Sequence, residues 1–333
     1  MLGLVLLFLA ALGGRDSKCS PSTTVVQQAT VGFELVDIPR ADGQPLHGAF
    51  WYPSTSAASS MRVGWANQIV AKNGTIVGSR LPLIVISVGA LGTWSGHSDT
   101  AISLAQAGFV VASVTYDEVG AGGLLKAFGL PKQFRELIDY ALQGWHGGDH
   151  LDPARIGAFG FSLGGFAVLA AVGGTPTIER IASHCRNAPT EWSCSLAAAH
   201  KLDLALGPPQ AGAFAVDRRI KAAVIVAPAL GYLFDDHGLD SVHIPIQLWQ
   251  ASRDTVLAEP WNSQAVKRDL PLPPEYHLVQ GADHGDFTAP CAPDIATKIP
   301  QICRGKSGFD RELFHVSLNS AIVHFFQKSL IPQ

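Results

Sequence analysis

The chain has 333 residues, of which 47% are hydrophobic and only 15% are Asp, Glu, Lys or Arg, and its formal net charge is −3. This composition can bury a large core and excludes wholesale disorder, which requires low hydrophobicity and high charge. Basic residues occur at most in pairs such as Arg218-Arg219. No surface for a phosphate backbone is indicated, and no nucleic-acid partner is expected.

An eleven-residue apolar run, 2–12, opens the chain and is followed by the polar stretch 15–18. The run is too short for a bilayer core of about 30 Å, which needs about 20 residues. It has the length of a signal-peptide apolar region, and Ala11-Leu12-Gly13 matches a small-x-small cleavage site. We interpret residues 1–18 as a signal peptide, which predicts a secreted or periplasmic protein whose main domain covers 25–333. A buried first helix or a misassigned start are the alternatives.

Strands and helices are predicted to alternate along the rest of the chain. Strands are predicted at 31–37, 46–52, 83–88, 109–114, 156–161, 220–227, 244–249 and 276–279, and helices at 98–106, 132–142, 164–171, 260–268 and 311–327. The first two strands are separated by turn residues and are expected to form a hairpin. Most later strands are continuous apolar runs, which favour parallel strands covered on both faces. The pattern predicts an α/β fold with a doubly wound, mainly parallel sheet.

One segment, about 173–217, interrupts this alternation. A structureless loop of some 45 residues is uncommon in a compact domain, so a small helical insertion is predicted there, after the helix at 164–171. The insertion would be a lid or a wall of the binding pocket, or it would only pack against the domain.

Five cysteines allow two local disulfides. Cys185 and Cys194 are nine residues apart, Cys291 and Cys303 are twelve apart, and both pairs lie in stretches that resemble loops. In an exported protein these pairings are the economical proposal, and Cys19 would be left free. Reduced thiols throughout are the alternative.

No metal site is expected. The chain contains no Cys-x-x-Cys sequence, and His146 and His150 flank two glycines that make a rigid helical pair of ligands improbable.

The segment Gly160-Phe161-Ser162-Leu163-Gly164 matches the G-x-S-x-G pattern. By itself the pattern is weak in a glycine-rich chain, but here it directly follows a predicted strand and directly precedes a predicted helix. That order is required of a nucleophile elbow, in which a serine occupies a strained tight turn. Ser162 is therefore the candidate nucleophile, and an inert serine in a glycine-rich turn is the alternative.

A serine hydroxyl needs a base, and the base needs a carboxylate that orients it. In this architecture the chain order is serine, acid, histidine. Asp254 and His284 follow two predicted strands in that order, at the sheet edge where ligands bind in open α/β folds. Asp235 and Asp236 are the rival acids, in a variant arrangement.

Two carboxylates adjoin the candidate histidine in sequence, Asp283 and Asp286, and are interpreted as turn formers. The remaining histidines lack the position after a strand end and are interpreted as surface or packed residues.

Acyl transfer also requires donors for the developing oxyanion. The backbone N–H of Leu163, at the start of a helix, is one candidate. The second is expected in the loop after the strand at 83–88, from Ala90 or its neighbour Leu91. Three aromatic side chains are candidates for the acyl pocket, although each is more often a core residue: Trp94, Phe161 and Trp249.

With these motifs the chain resembles the α/β-hydrolase superfamily, and more narrowly its dienelactone-hydrolase-like and platelet-activating-factor-acetylhydrolase-like serine esterases. The resemblance covers most of 31–326 and rests on Asp254, on His284 and on three sequence segments. The segments are Phe50-Trp51-Tyr52-Pro53, the elbow at 155–165 and Asp217-Arg218-Arg219-Ile220-Lys221-Ala222. Dienelactone hydrolases use a cysteine nucleophile where this chain has Ser162, so lactone hydrolysis is not implied.

The resemblance implies cleavage of carboxylic esters without a cofactor. The sequence is accordingly interpreted as a serine esterase for small, short-chain esters, with a lipid or polymer surface as a further partner. A phospholipase A2-like acetylhydrolase, a polyester hydrolase and a peptidase would use the same triad. A non-catalytic binding protein with a hydrolase fold is the alternative from another class.

Overall fold

The computed structural model describes residues 30–40, 43–116, 128–199, 214, 216–235, 237–303 and 308–331. The predicted signal peptide, Cys19 and Asp236 lie outside these ranges.

The described residues form one ten-stranded sheet. The strands are β1 Thr30–Ile38, β2 Leu46–Ser54, β3 Ser59–Val63, β4 Ala66–Lys72, β5 Leu81–Ser87, β6 Val110–Val114, β7 Leu151–Phe161, β8 Ile220–Val226, β9 Ile246–Ala251 and β10 Glu275–Val279. Their order across the sheet is β10-β9-β8-β7-β5-β6-β2-β1-β4-β3.

Six neighbouring strands, from β6 through β5 and β7 to β10, run parallel. β2 is antiparallel to both β6 and β1. In β5, β6 and β8 nearly every residue is buried, because helices cover both faces. The predicted mainly parallel sheet and the predicted first hairpin are therefore both present.

The sequence analysis missed the hairpin of β3 and β4. The two strands pair from Ser59 with Val70 to Val63 with Ala66, and β4 extends the sheet beside β1. β3 reads SSMRV and exposes most of its residues, so it lacks the apolar run or clean alternation that identifies a strand.

Nine helices lie in the described ranges. They are α1 Ser98–Gln106, α2 Leu130–Gln143, α3 Leu163–Ala171, α4 Arg180–Asn187, α5 Trp192–Ala199, α6 Ser263–Asp269, α7 Pro293–Lys298, α8 Pro300–Cys303 and α9 Arg311–Leu330. α1 packs against α9, and α2 packs against α3. Side chains alternate along β7, so a Cβ at Gly157 would meet Phe326 of α9, whereas one at Gly160 would meet the backbone of α3. The sheet is thus covered on its two faces by different helices, as a doubly wound fold requires.

The interrupting segment contains α4 and α5, in agreement with a helical insertion, although 200–213 and 215 lie outside the described residues. A disulfide, Cys185–Cys194, joins the two helices, and a second, Cys291–Cys303, closes the segment that holds α7 and α8. Both pairings agree with the sequence analysis. The loop-like interpretation of their surroundings was wrong, because Cys185, Cys194 and Cys303 all lie in short helices. Among the described helices, none combines the length and the apolar character needed to cross a bilayer.

Candidate active site

Four parallel strands carry the predicted site residues just beyond their carboxyl ends. Ser162 follows β7, Asp254 follows β9, His284 follows β10, and Ala90 lies in the turn after β5. Because these strands point the same way, the four segments meet at one edge of the sheet, where open α/β folds bind ligands.

The turn that carries Ser162 is tight. Ser162 has φ 57° and ψ −121°, a conformation that costs a residue with a side chain about 1–3 kcal/mol. A Cβ at Gly164 would lie 2.0 Å from the Ser87 carbonyl oxygen, and one at Gly160 would lie 2.4 Å from the Gly164 oxygen. Only glycine fits at either position, and this explains the two glycines of the motif. The strand, turn and helix occur in the predicted order.

The structure brings the three predicted triad residues together. His284 Nε2 lies 3.0 Å from Ser162 Oγ, and His284 Nδ1 lies 2.8 Å from Asp254 Oδ2. The His284 and Asp254 side chains are only 10% and 6% exposed. A hydroxyl in contact with an imidazole whose other nitrogen faces a buried carboxylate is the arrangement in which a serine can be deprotonated as it attacks.

The acid is held in place by its own loop. Asp254 Oδ1 accepts the backbone N–H groups of Val256, at 2.9 Å, and Leu257, at 2.7 Å. The other oxygen, Oδ2, is thereby turned toward His284.

His284 begins a short 3-10 helix, His284–Phe287, whose N-terminus is closed by a capping box. Asp283 accepts the N3 backbone N–H, and Asp286 Oδ2 accepts the Asp283 N–H at 2.8 Å. Asp283 also accepts the N–H and the hydroxyl of Thr255. These bonds join the segment that holds His284, 280–289 (the histidine loop), to the segment that holds Asp254, 252–257 (the acid loop). Both carboxylates therefore form turns, in agreement with the interpretation from the sequence.

The rival acid Asp235 takes part in other interactions. It pairs with Arg180 at 3.7 Å and with Arg268 at 2.8 Å. Burial, and then a hydrogen bond with Asp269, raise the pKa of Asp235 above its usual value. The carboxylate that contacts His284 Nδ1 is that of Asp254, and Asp236 lies outside the described residues.

A cavity of about 220 Å³ opens beside the serine. Its lining is mostly apolar and consists of Gly89, Ala90, Leu91, Phe161, Ser162, Trp192, Leu196, Val256 and His284. Two of these residues, Trp192 and Leu196, belong to α5, so the helical insertion supplies one wall. The sequence analysis missed both, because no local pattern separates a pocket tryptophan from a core tryptophan.

The three predicted aromatic candidates lie in different places. Phe161 lines the cavity, and its ring centroid is 4.8 Å from that of His284. Trp94 is half-buried and packs against the core, with its ring centroid 5.9 Å from that of Trp51. Trp249 stacks on His277 with centroids 4.0 Å apart, and its indole N–H donates within β9. Of the three, only Phe161 lines the cavity beside Ser162.

The turn after β5 forms part of the cavity wall. Gly92 N–H donates to the Gly89 carbonyl at 3.0 Å, and Leu91 has φ 59°, which is the pattern of a type II turn. The Gly92 donor is used within this turn, whereas Ala90 and Leu91 line the cavity. Leu163, next to Ser162, is the first residue of α3, so no carbonyl within that helix can accept the Leu163 N–H.

Away from this site, three described side chains of the types that bind metal ions lie close together. Ligand atoms of His184, Glu191 and Cys194 are within 4.8 Å of one another. Cys194 Sγ is bonded to Cys185 and offers no thiolate. The His184 ring stacks on Tyr232 with centroids 3.7 Å apart. These contacts describe a packed junction in the insertion.

Comparisons with known proteins bear on the fold. No protein-family model matches the chain, and no curated protein matches it. Among solved structures, a ferulic acid esterase from Streptomyces cinnamoneus superposes with a TM-score of 0.59, covering 94% of this chain and 92% of its own, at 16% sequence identity. A likeness at this identity shows a shared fold. Together with the sheet order and the helices on its two faces, it defines an α/β-hydrolase-like fold.

Proposed function

We propose that the protein is a serine hydrolase that cleaves carboxylic esters through an acyl-enzyme intermediate. The observation that carries the proposal is the continuous hydrogen-bonded series from Asp254 through His284 to Ser162, whose last atom faces an apolar cavity. The likeness to the structure of a ferulic acid esterase supports the same reaction class.

In the proposed reaction His284 Nε2 removes the proton from Ser162 Oγ as the oxygen attacks the ester carbonyl carbon. The carbonyl electron pair moves to its oxygen, and Asp254 stabilises the imidazolium that forms. When the tetrahedral intermediate collapses, the C–O bond to the alcohol breaks and the alcohol takes the proton from His284. Water then attacks the acyl-enzyme by the same route, which releases the carboxylic acid and restores the serine.

The oxyanion would be held by backbone N–H groups, with Leu163 on the elbow side and Ala90 on the turn side. Each such donor is worth about 10²- to 10³-fold in kcat. This assignment is supported by the position of Leu163 at the N-terminus of α3 and by the position of Ala90 in the turn that lines the cavity. Leu91 is the neighbouring alternative.

The cavity favours small, uncharged acyl groups. Among its nine described lining residues only His284 is ionisable, so it offers no counter-ion for a charged substrate. Its volume, about 220 Å³, and the wall formed by α5 restrict the length of an acyl chain. A second candidate is an aromatic acyl group, because Phe161 and Trp192 supply two ring systems to the cavity and the superposed structure is that of a ferulic acid esterase. The acetylhydrolase, polyester and peptidase alternatives would place longer alcohol or amine portions outside this cavity.

Two disulfides are expected only in an oxidising compartment. They support the proposal that the protein is secreted or periplasmic.

The test of the reaction is hydrolysis of p-nitrophenyl esters by the wild type and by Ser162→Ala. The variant should lose on the order of 10⁶ in kcat with an unchanged unfolding transition. Ser183→Ala, on the exposed face of α4, is the matched control and should hydrolyse at the wild-type rate. A Ser162→Ala variant with a tenth of wild-type activity would remove the serine from the nucleophile role. A wild type that neither hydrolyses an ester nor reacts with a fluorophosphonate would leave the binding-protein alternative.

The test of substrate choice is a series from acetyl to dodecanoyl esters, with methyl ferulate added. A cavity of this volume predicts a steep fall beyond short chains, and Trp192→Ala should extend the accepted length. If the rate is flat or rises with chain length in the wild type, the small-acyl proposal is wrong and a lipase-like or polyester-like substrate replaces it.

A further inference from the structure

Behind the histidine loop, on the side away from Ser162, lies a second pair of a histidine and an aspartate. His315 on α9 is 3% exposed. Its Nδ1 lies 2.6 Å from Asp99 Oδ2, on α1, and its Nε2 lies 2.8 Å from the backbone oxygen of Asp286. Asp286 is in the 3-10 helix that begins with His284, so this pair is attached to the same turn as the proposed base.

Other side chains fix the pair and the segment that follows it. Asn319 on α9 donates to Asp99 Oδ2 at 2.7 Å, and Thr100 donates to the Asn319 amide oxygen at 2.7 Å. Further along the loop, Arg311 donates to the Thr288 carbonyl at 2.9 Å. The histidine loop is therefore held from behind by the N-terminal half of α9, which is itself attached to α1.

The hydrogen-bond partners determine the form of the His315 ring. A carbonyl oxygen can only accept, and an ionised carboxylate can only accept. His315 satisfies both Asp99 and the Asp286 carbonyl only if both ring nitrogens carry a proton, which is the imidazolium form. A neutral ring would set a nitrogen lone pair against an oxygen lone pair and release one of the two contacts.

We propose that His315, held as an imidazolium by Asp99, is a positioning residue that fixes the carbonyl of Asp286 and thereby the orientation of His284. The inference rests on the proposed function, because it assigns His284 the role of base. His315 acts through the loop backbone and touches neither Ser162 nor the cavity lining.

Charged and titratable groups face His315 from three elements. Asp99 lies on α1, and His97 directly precedes the first residue of that helix. Asp286 lies on the 3-10 helix, and Arg311 lies one turn before His315 on α9. Burial lowers the pKa of His97 to about 4, so at neutral pH that ring is uncharged and does not repel the His315 imidazolium. Burial alone would raise the pKa of Asp99, but the charge and hydrogen bond of His315, together with Asn319 and His97, lower it to about 2. Asp99 is therefore ionised at neutral pH.

The first experiment compares His315→Gln with His324→Gln, a matched control at an exposed position of the same helix. Glutamine keeps one donor but cannot hold both acceptors, so kcat for p-nitrophenyl acetate should fall about tenfold or more, as small displacements of catalytic groups do. KM should stay within about twofold, because the cavity is untouched. A folded His315→Gln variant with wild-type kcat would overturn the proposal, as would an equal loss in His324→Gln.

The second experiment uses a conservative change at Asp99. Asp99→Asn removes the charge, but its amide can donate to or accept from His315 Nδ1, so His315 Nε2 can still donate to the Asp286 carbonyl. The kcat of this variant should therefore fall by less than the roughly tenfold expected for His315→Gln, with KM unchanged. A folded Asp99→Asn variant that loses about tenfold or more in kcat would overturn the proposal, and this test stands even if His315→Gln does not fold.

A third measurement does not depend on ester hydrolysis. The third measurement uses NMR of protein labelled with ¹⁵N-histidine. The His315 signals are identified because they are missing from the spectrum of His315→Gln. In the wild type these signals should show both ring nitrogens protonated at pH 7. A neutral ring would overturn the inference. If the wild type hydrolyses no ester while His315 is doubly protonated, the proposed function has failed and the ion pair remains as a support of the loop.

Discussion

Adding one methyl group at Gly164 should separate the two halves of the proposed oxyanion site. A Cβ there would lie 2.0 Å from the Ser87 oxygen and 2.5 Å from the Ser87 carbonyl carbon, whereas real Cβ contacts essentially never fall below 3.0 Å. The clash is with backbone, so no side chain can rotate away. In the Gly164→Ala variant β5 and the start of α3 must move apart by about 1 Å, the difference between 3.0 and 2.0 Å.

This displacement acts on both activity and stability. Ser87 ends β5 and leads into the turn with Ala90, while Gly164 follows Ser162 by two residues, so the movement separates the proposed nucleophile from one proposed donor. A misplacement of about 1 Å costs about 10²-fold in rate, and overpacking of this kind costs about 1–3 kcal/mol of unfolding free energy. The assay is kcat/KM for p-nitrophenyl acetate together with the urea midpoint.

Gly285→Ala is the matched control. Gly285 directly follows His284, yet a Cβ there would meet nothing within 4 Å and its φ is not in the left-handed region. We expect activity and midpoint close to wild type. The reasoning is refuted if Gly164→Ala retains wild-type kcat/KM and stability, or if Gly285→Ala is the more damaging of the two.

Two further predictions concern carboxylates. Asp254→Asn should lower kcat by about 10⁴ without unfolding the protein, since the imidazolium loses its stabilising charge. The control Asp235→Asn should leave kcat unchanged. Equal losses of kcat in the two variants would contradict the assignment of Asp254 as the acid. The pKa of Asp99 is lowered from 3.8 to about 2, because His315 outweighs the opposing effect of burial. The resulting stabilisation, about 2 kcal/mol, is present above pH ~3.8 and is lost as the pH falls through about 2. Urea midpoints at about pH 5 and pH 2.5 should therefore differ less for Asp99→Asn than for the wild type; identical differences would show that Asp99 does not contribute.

The parts of the site that are local in sequence could be predicted from it. The elbow is set by two glycines around Ser162 and by the strand and helix on either side, all within a few residues. Asp254 and His284 could be located because parallel strands carry their carboxyl ends to one edge. Helix α1 was predicted with the bounds that the structure has, 98–106.

The remaining features depend on contacts between distant parts of the chain. Trp192 and Trp249 are equally apolar. The path of the insertion places Trp192 beside Ser162, whereas the pairing of β9 with β10 places Trp249 beside His277. His315 follows no strand and was interpreted, like the remaining histidines, as a surface or packed residue, an interpretation that did not identify its two acceptors. Those acceptors come from segments far apart in sequence, so no spacing rule could find them.

The attachment of the histidine loop to α9 has a consequence for the growing chain. On the ribosome the elbow at Ser162 can form once β5, β7 and β8 have emerged, whereas the carbonyl of Asp286 finds its donor only after His315 has been made. The proposed nucleophile would thus exist for a long part of synthesis before its proposed base is held in place. Nascent or prematurely terminated chains that lack α9 would carry a formed elbow without this support for His284.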